Sequence, residues 1–221
     1  METTQIAIDG PAGAGKSTIA KLVAKSFGFV YIDTGAMYRA ITLKAMRMNI
    51  ELADENAFDF IDQTRFDYKD GELIMDGENV SHLIRTHTIS NNVSLVSSHY
   101  TVRHKTVHRQ RVLATNKNVV MDGRDIGYNV LPDADFKFFL TADVQTRAKR
   151  RYKEDLERGF ESSLDALEKE IVARDHFDTN REHSPLKPAD DAIIIDTSNK
   201  SIEEVIETIK AIVREDDSHE Q

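Results

Sequence analysis

The sequence predicts an α/β fold in which helices cover both faces of a five-stranded parallel sheet. Three observations lead to this prediction: short apolar runs alternate with helical patterns, a glycine-rich turn separates the first run from the first helix, and 221 residues suit one substantial domain. Apolar runs with helices between them are typical of parallel strands that are buried on both faces. We therefore expect a single domain over residues 1–221.

Each predicted element has its own signal in the sequence. The strands are short apolar runs, at residues 5–8, 29–32, 119–121, 136–140 and 192–195. Apolar residues at helical spacing predict helices over residues 17–27 and 35–48. A last helix begins at Ser201, which forms a capping-box pattern with Glu204.

Two stretches depart from this alternation. In residues 57–93, the turn signals Asp70-Gly71 and Asp76-Gly77 separate short segments, as in small antiparallel hairpins. We interpret this stretch as a compact insertion. The second stretch is the basic run at 147–153, which is followed by polar residues up to position 163.

Composition narrows the classes of partner. The net charge of −9 argues against nonspecific binding to nucleic acid or to anionic membranes, since both would repel the protein. The absence of cysteine excludes disulfides, thiolate metal sites and thiol catalysis. No apolar run is long enough for a membrane span, and the first strand leaves no room for a signal peptide. We expect a cytoplasmic protein.

A phosphate-binding loop is the strongest local motif. The segment GPAGAGKS matches the pattern G-x-x-x-x-G-K-[ST] between a predicted strand and a helix. Glycines let backbone amides surround a β-phosphate, Lys16 neutralises the β- and γ-phosphates, and the Ser17 hydroxyl binds Mg²⁺. We expect ATP to bind at Gly10, Pro11, Ala12, Gly13, Ala14, Gly15, Lys16, Ser17 and Thr18.

Polar clusters follow the predicted strands and indicate a second anion. The motifs DTGAMYR, DGRD and RDHFDTNR supply Thr34, Tyr38, Arg39, Asp122, Arg124, Asp125, Arg174, Asp178 and Arg181, and a basic helical run covers 103–111. Guanidinium groups bind phosphate at two points and stay charged, so a kinase for a phosphorylated acceptor needs several of them. A small kinase is therefore the leading class. The N-K-x-D motif of guanine-binding switches is absent.

Together, the motifs IDGPAGAGKST, DTGAMYR, DGRDIG and RDHFDTNR…SPL resemble those of nucleoside monophosphate kinases, most closely the bacterial-type cytidylate kinases. The resemblance extends over nearly the whole chain. It implies a P-loop kinase fold, with residues 57–93 as the acceptor-binding insertion and 147–163 as a lid. It also implies a monomer that uses ATP and Mg²⁺ to convert CMP and dCMP to CDP and dCDP, with no obligate protein partner.

The resemblance further implies a role for each site residue. The acceptor phosphate would contact Thr34, Arg39 and Arg124; the cytosine edge, Ser94, Arg103 and Asp125; and the ribose hydroxyls, Arg174 and Asp178. Asp122 would help to order water around magnesium. Arg147 and Arg150 would belong to the lid, and the residues that we expect to be catalytic are Lys16, Arg124, Arg151 and Arg181.

Two alternatives remain open at this stage. One is a kinase for another small acceptor, such as UMP, AMP or a non-nucleotide acid. The other is a nucleotide-gated switch whose basic clusters bind a partner protein. Asp125 favours cytosine, because a carboxylate accepts a hydrogen bond from the cytosine amino group, whereas uracil presents a carbonyl there. Arginines at several strand ends favour the kinase over the switch.

Overall fold

The computed structural model describes residues 3–69 and 71–217. Fifteen helices and strands follow one another in this part of the chain. In order, they are β1 (Gln5–Asp9), α1 (Lys16–Phe27), β2 (Val30–Asp33), α2 (Thr34–Arg47), β3 (Phe66–Lys69), β4 (Glu72–Met75), β5 (Glu78–Asn79), α3 (His87–Val96), α4 (Tyr100–Ala114), β6 (Val119–Gly123), β7 (Phe136–Thr141), α5 (Val144–Glu157), α6 (Leu164–Asn180), β8 (Ile193–Asp196) and α7 (Ile202–Asp217).

The central sheet confirms the predicted class. Its five strands are all parallel and lie in the order β2-β6-β1-β7-β8. The predicted boundaries are wrong by only one or two residues, and the capping box of α7 is present, since Glu204 N donates to Ser201 Oγ (3.1 Å) and Ser201 N to Glu204 Oε2 (2.7 Å). Because all five strands run in one direction, their polar last residues meet at one edge.

Alternating side chains of the strands build two apolar layers. Ile6 and Ile8 of β1 face α1 and α7, together with Phe138 and Leu140 of β7. Ala7 faces the opposite way, in the cluster that includes α4 and the turn after β6. This pattern follows from the two-residue period of a strand. The layers hold the carboxyl edge of the sheet rigid beneath the site.

The predicted insertion contains a second, antiparallel sheet of order β3-β4-β5. Its Leu73 and Met75 pack against Met37 and Ala40 of α2. The turn between β4 and β5 uses Asp76 and Gly77, both with left-handed backbone (φ 53° and 87°), as that turn signal indicated. Asp70 of the other predicted turn lies outside the described residues.

Helices α5 and α6 form an antiparallel pair that is held by Ala148, Leu167 and Ile171. The predicted lid, 147–163, comprises most of α5 and the turn before α6. Within the part of the chain that the structure describes, no helix has the length and apolar character needed to cross a membrane.

Candidate active site

The phosphate loop joins β1 to α1 at the carboxyl edge of the sheet. Gly13 and Gly15 adopt left-handed backbone, with φ of 77° and 89°, which only glycine reaches without strain. Gly10 is required for a different reason, because a Cβ at this position would lie 2.1 Å from the Leu140 carbonyl oxygen of β7. The loop is therefore pressed directly against the sheet.

Lys16 lies at the centre of the loop. Its ammonium group donates to the Pro11 carbonyl oxygen at 2.8 Å, and the side chain is buried. Burial, followed by the nearby Arg124 cation, lowers the pKa of Lys16 to about 7. A polyphosphate at this position would favour the charged ammonium, so the loop suits an anionic ligand.

The side-chain oxygen atoms of Ser17 and Asp122 lie next to each other beside the loop. Asp122 Oδ2 accepts from the Ser17 hydroxyl at 2.9 Å, and its Oδ1 accepts from the Tyr31 hydroxyl at 2.8 Å. Burial, followed by Asp33, raises the pKa of Asp122 to about 6. Ser17 and Asp33 also line a cavity of about 350 Å³. Hard oxygen donors with room for water fit Mg²⁺, which usually keeps several water ligands.

A second cavity, of about 50 Å³, lies at the ends of β2 and β6. Nine of the eleven predicted acceptor residues line it: Thr34, Tyr38, Arg39, Arg103, Arg124, Asp125, Arg174, Asp178 and Arg181. Ser94 and Asp122 are not among the described residues that line it. Val93 and Ser97 take part instead, whereas Asp122 lies on the phosphate-loop side. We call this the acceptor cavity.

Three elements carry the side chains into the acceptor cavity. At the start of α2, the Asp33 carboxylate accepts from Ala36 N (2.8 Å), and the Thr34 hydroxyl donates to the Asp122 carbonyl (2.7 Å). Helix α4 contributes Arg103. Helix α6 contributes Arg174 and Asp178, which lie four residues apart and so share one face. The cavity is thus assembled from parts of the chain that are distant in sequence.

Ion pairs between cavity residues lie across this space. Arg103 binds Asp125 through a buried hydrogen bond, and Arg124 Nε lies 2.5 Å from Asp178 Oδ2. Five arginines nevertheless face only two carboxylates. Burial, followed by the Arg124 cation, lowers the pKa of Arg174 to about 9. This excess of positive charge favours an anionic ligand.

Unpaired hydrogen-bond donors on residues that line the acceptor cavity also favour an anionic ligand. Three buried guanidinium nitrogens have no hydrogen-bond partner within residues 3–69 and 71–217: Arg103 Nε, Arg174 Nε and Arg181 Nη2. Buried donors are normally paired, and leaving one unpaired costs about 1–3 kcal/mol. A ligand with several acceptor oxygens would satisfy them.

The three arginines of α5 have different partners. Arg147 is buried and binds Asp175 at both guanidinium nitrogens (3.0 and 2.6 Å) and the Ala12 carbonyl (3.2 Å). Arg150 donates to Thr197. Arg151, a quarter exposed, pairs with Asp155 inside the helix at 3.3 Å. Of the three, Arg151 has the weakest structural attachment and is the most available to a ligand.

Asp9 and Asn129 were missed by sequence reasoning. The Asp9 carboxylate accepts from Ile126 N and Gly127 N at 2.8 Å each, so it ties the phosphate-loop strand to the loop after β6. Burial raises its pKa to about 7, although these two backbone hydrogen bonds oppose the shift. The available signal for Asp9 was an acidic residue at the end of a buried strand, directly before Gly10. The sequence contains no comparable signal for Asn129.

A comparison with protein families identifies the chain. The family model described as cytidylate kinase matches residues 6–215. The chain belongs to the cytidylate kinase family.

Relatives of similar length agree with this assignment. A cytidylate kinase from Geobacillus sp. (strain WCH70) is 52% identical over 216 residues, which cover 96% of each chain. One from Ligilactobacillus salivarius is 50% identical over 220 residues, covering 97% of this chain and 98% of the relative. The family is thus shown over almost the full length of the chain.

Solved structures with low sequence identity share the fold. Shikimate kinase from Bacteroides thetaiotaomicron is 13% identical with a TM-score of 0.50, covering 96% of this chain and 98% of its own. An uncharacterized protein from Eubacterium ventriosum is 12% identical with a TM-score of 0.52, covering 96% and 99%. These likenesses concern the α/β kinase fold alone.

Proposed function

We propose that the protein transfers the γ-phosphate of ATP to CMP and dCMP, giving CDP and dCDP. The observation that carries this proposal is the acceptor cavity, in which Asp125 and five arginines lie together at the sheet edge that also holds the phosphate loop. Membership of the cytidylate kinase family supports the same activity.

On the donor side, residues 10–18 bind the triphosphate of ATP. The backbone amides of the loop and the N-terminal end of α1 attract the phosphates, and Lys16 exchanges its bond to the Pro11 carbonyl for phosphate oxygens. Ser17 would bind Mg²⁺ directly, and Asp122 would hold it through ordered water. The metal ion would supply positive charge to the β- and γ-phosphate oxygens.

On the acceptor side, Thr34, Arg39 and Arg124 hold the monophosphate, and Tyr38 lies behind them. Arg174 and Asp178 contact the ribose. For Arg124 and Asp178 this requires the present ion pair to open, so that each charge binds the substrate instead. The proposal assigns residues 57–93 to acceptor binding and residues 147–163 to a lid over both substrates.

At the base, Asp125 accepts from the cytosine amino group, while Arg103 contacts the rest of the cytosine edge. Ser94, one helical turn from the cavity-lining Ser97, is expected to reach the same edge once the nucleotide is bound. Uracil would set a carbonyl oxygen against the Asp125 carboxylate, with no proton between them. A site that is built around one such hydrogen bond can discriminate by about 10⁴-fold. These contacts to the base do not involve the sugar, so they do not discriminate between ribose and deoxyribose.

Charge neutralisation is the main catalytic task. The acceptor oxygen belongs to a phosphate that is already ionised, so no side chain needs to remove a proton. In a loose transition state, negative charge spreads over the transferred group, and Lys16, Arg124, Arg151 and Arg181 compensate for it. Closure of the lid also excludes water and limits hydrolysis of ATP.

The test is ADP release with a panel of acceptors. We expect turnover with CMP and dCMP, and at least a hundredfold lower kcat/KM with UMP and AMP. A nucleotide-gated switch would instead release ADP slowly and at the same rate with or without added monophosphate. Equal use of UMP and CMP would reject the assignment of Asp125.

We further propose that the enzyme acts as a monomer in the cytoplasm, without nucleic acid or an obligate protein partner. The lack of cysteine and the net charge of −9 support this. Light scattering at micromolar concentration should return the mass of a single chain.

A further inference from the structure

A π-helical turn follows the DGRD motif, at Ile126–Val130. Leu131 N donates to the Ile126 carbonyl at 2.8 Å, a bond across five residues instead of four. Such turns are rare and are often found at functional sites. Arg111 of α4 stabilises this one, because its guanidinium donates to the carbonyls of Asn129 (2.5 Å) and Val130 (3.0 Å).

The turn brings the Asn129 amide back onto Asp125. Asn129 Nδ2 donates to Asp125 Oδ2 at 2.7 Å and to the Ser184 hydroxyl oxygen at 3.1 Å. Both amide protons are therefore used. The opposite orientation of the amide would place its oxygen against the carboxylate, so the network itself fixes which end faces Asp125.

Asp125 Oδ2 thus receives two donors, the Arg103 guanidinium and the Asn129 amide. No donor among the described residues binds Oδ1, and Asp125 lines the acceptor cavity. The two donors therefore hold Oδ2 in place and leave Oδ1 as the oxygen that can accept a hydrogen bond from a ligand.

We propose that Asn129 is a positioning residue that sets base selectivity, by holding the Asp125 carboxylate so that Oδ1 faces the base. This inference rests on the proposed function, in which Asp125 binds the cytosine amino group. Uracil presents its O4 carbonyl at the same point, so rejection of uracil depends on how firmly the carboxylate is held in that orientation. The amide of Asn129 holds it without touching the substrate.

The decisive variant is Asn129→Asp. It keeps the size of the side chain but replaces the amide donor with a second carboxylate, so the two like charges repel and the orientation of Asp125 is lost. We expect the ratio of kcat/KM for CMP to that for UMP to fall at least tenfold, through a higher KM for CMP and a gain in UMP use. A ratio within twofold of the wild-type value in an active, folded variant would overturn the inference.

A second variant, Asn129→Leu, removes the donor without adding charge. Asp125 is then held by Arg103 alone, and we expect KM for CMP to rise at least threefold while kcat stays within twofold. If Asn129→Asp does not fold, the affinities of Asn129→Leu for CMP and UMP, measured by calorimetry, decide: a preference for CMP at least threefold weaker supports the inference, and an unchanged preference rejects it.

The matched control is Asn116→Asp, the same chemical change in an exposed turn after α4. It should keep the wild-type ratio within twofold.

The wild-type enzyme separates the two hypotheses. If it does not prefer CMP to UMP, the proposed function fails; if it does, but Asn129→Asp keeps that preference, only the role of Asn129 fails.

Discussion

At the residue scale, the site holds ionisable groups where their charged forms are disfavoured. Burial lowers the pKa of Lys16 to about 7 and raises that of Asp122 to about 6. Both shifts oppose the charge state in which each residue would bind the triphosphate or magnesium. Binding of the substrates therefore favours the charged forms of Lys16 and Asp122, which burial disfavours. Without substrate, these two charges lower the free energy of unfolding relative to uncharged side chains at the same positions.

Asp122→Asn should make the ligand-free protein more stable at pH 8. The pKa of Asp122 is higher in the folded protein (about 6) than its ordinary value of 3.8, so its ionisation lowers the free energy of unfolding as pH rises through that window. A shift of this size corresponds to about 3 kcal/mol at most, and the gain should vanish towards pH 4. Urea unfolding at both pH values measures it.

The same substitution should lower kcat at least a hundredfold, because it removes the carboxylate that we propose orders water around the metal ion. For the stability prediction, an Asp122→Asn variant that is less stable than the wild type at pH 8 would be the contradicting outcome. It would show that the surroundings of Asp122 stabilise its ionised form.

Asp125→Ala should impair use of CMP and spare ATP. We expect kcat/KM for CMP to fall at least a hundredfold while KM for ATP stays within about twofold, since Asp125 lies in the acceptor cavity and not in the loop. Loss of its partner leaves Arg103 buried and unpaired, which should cost about 3 kcal/mol of stability. Kinetics with each substrate varied, together with urea unfolding, test both statements. An equal loss of affinity for ATP would contradict the assignment of Asp125 to the acceptor cavity.

How far the sequence predicts this site depends on the kind of signal. The phosphate loop and the strand-end clusters were predictable, because the carboxyl ends of parallel strands must meet at one edge. The part played by Ser97 was not, since it lies one helical turn from Ser94 and only packing decides which side chains line the cavity. Asn129 could not be identified from the sequence, because helices are predicted from a period of 3.6 residues and a π-helical turn does not follow that period.

At the element scale, the arginines of α5 differ in how firmly the rest of the protein holds them. Arg147 joins the helix to the phosphate loop and to Asp175 of α6, whereas Arg151 pairs only loosely with Asp155. A basic run in a sequence cannot reveal this difference, because it depends on which side of the helix faces the loop. Neither the helix α5 nor the roles of its charges was predicted from this run.

Two matched substitutions separate these roles. Arg147→Met should cost about 3 kcal/mol in the free energy of unfolding, because it leaves the partly buried Asp175 without its ion-pair partner. Arg151→Met should cost less than about 1 kcal/mol, yet lower kcat at least tenfold through lost charge compensation. Urea unfolding and steady-state kinetics give the two readings. The reverse pattern would mean that Arg147 is the residue that meets the transferred phosphate.

At the scale of the whole molecule, residues 57–93 and 147–163 contact each other. The Phe160 ring, in the turn between α5 and α6, packs edge-on against His87 at the start of α3, with ring centroids 4.8 Å apart. If the two segments are the acceptor-binding insertion and the lid, as proposed, this contact stabilises the closed arrangement of the enzyme.

Phe160→Ala should weaken this closure. An aromatic pair contributes about 0.5–1.5 kcal/mol, so we expect KM for CMP to rise about two- to tenfold with little change in kcat. Phe177→Ala is a suitable control, because Phe177 lies exposed on α6. Steady-state kinetics with CMP varied at saturating ATP measures the effect. Equal KM values in the wild type and Phe160→Ala would show that the ring contact does not bear on acceptor binding.

The ion pair between Arg124 and Asp178 has a consequence for ligands that match only half of the acceptor cavity. In the proposed complex, Arg124 leaves Asp178 for the phosphate and Asp178 binds the ribose. A free nucleoside offers nothing to Arg124, and inorganic phosphate offers nothing to Asp178. Each fragment would have to separate two opposite charges and satisfy only one of them. We therefore expect whole nucleotides to bind much more tightly than either fragment.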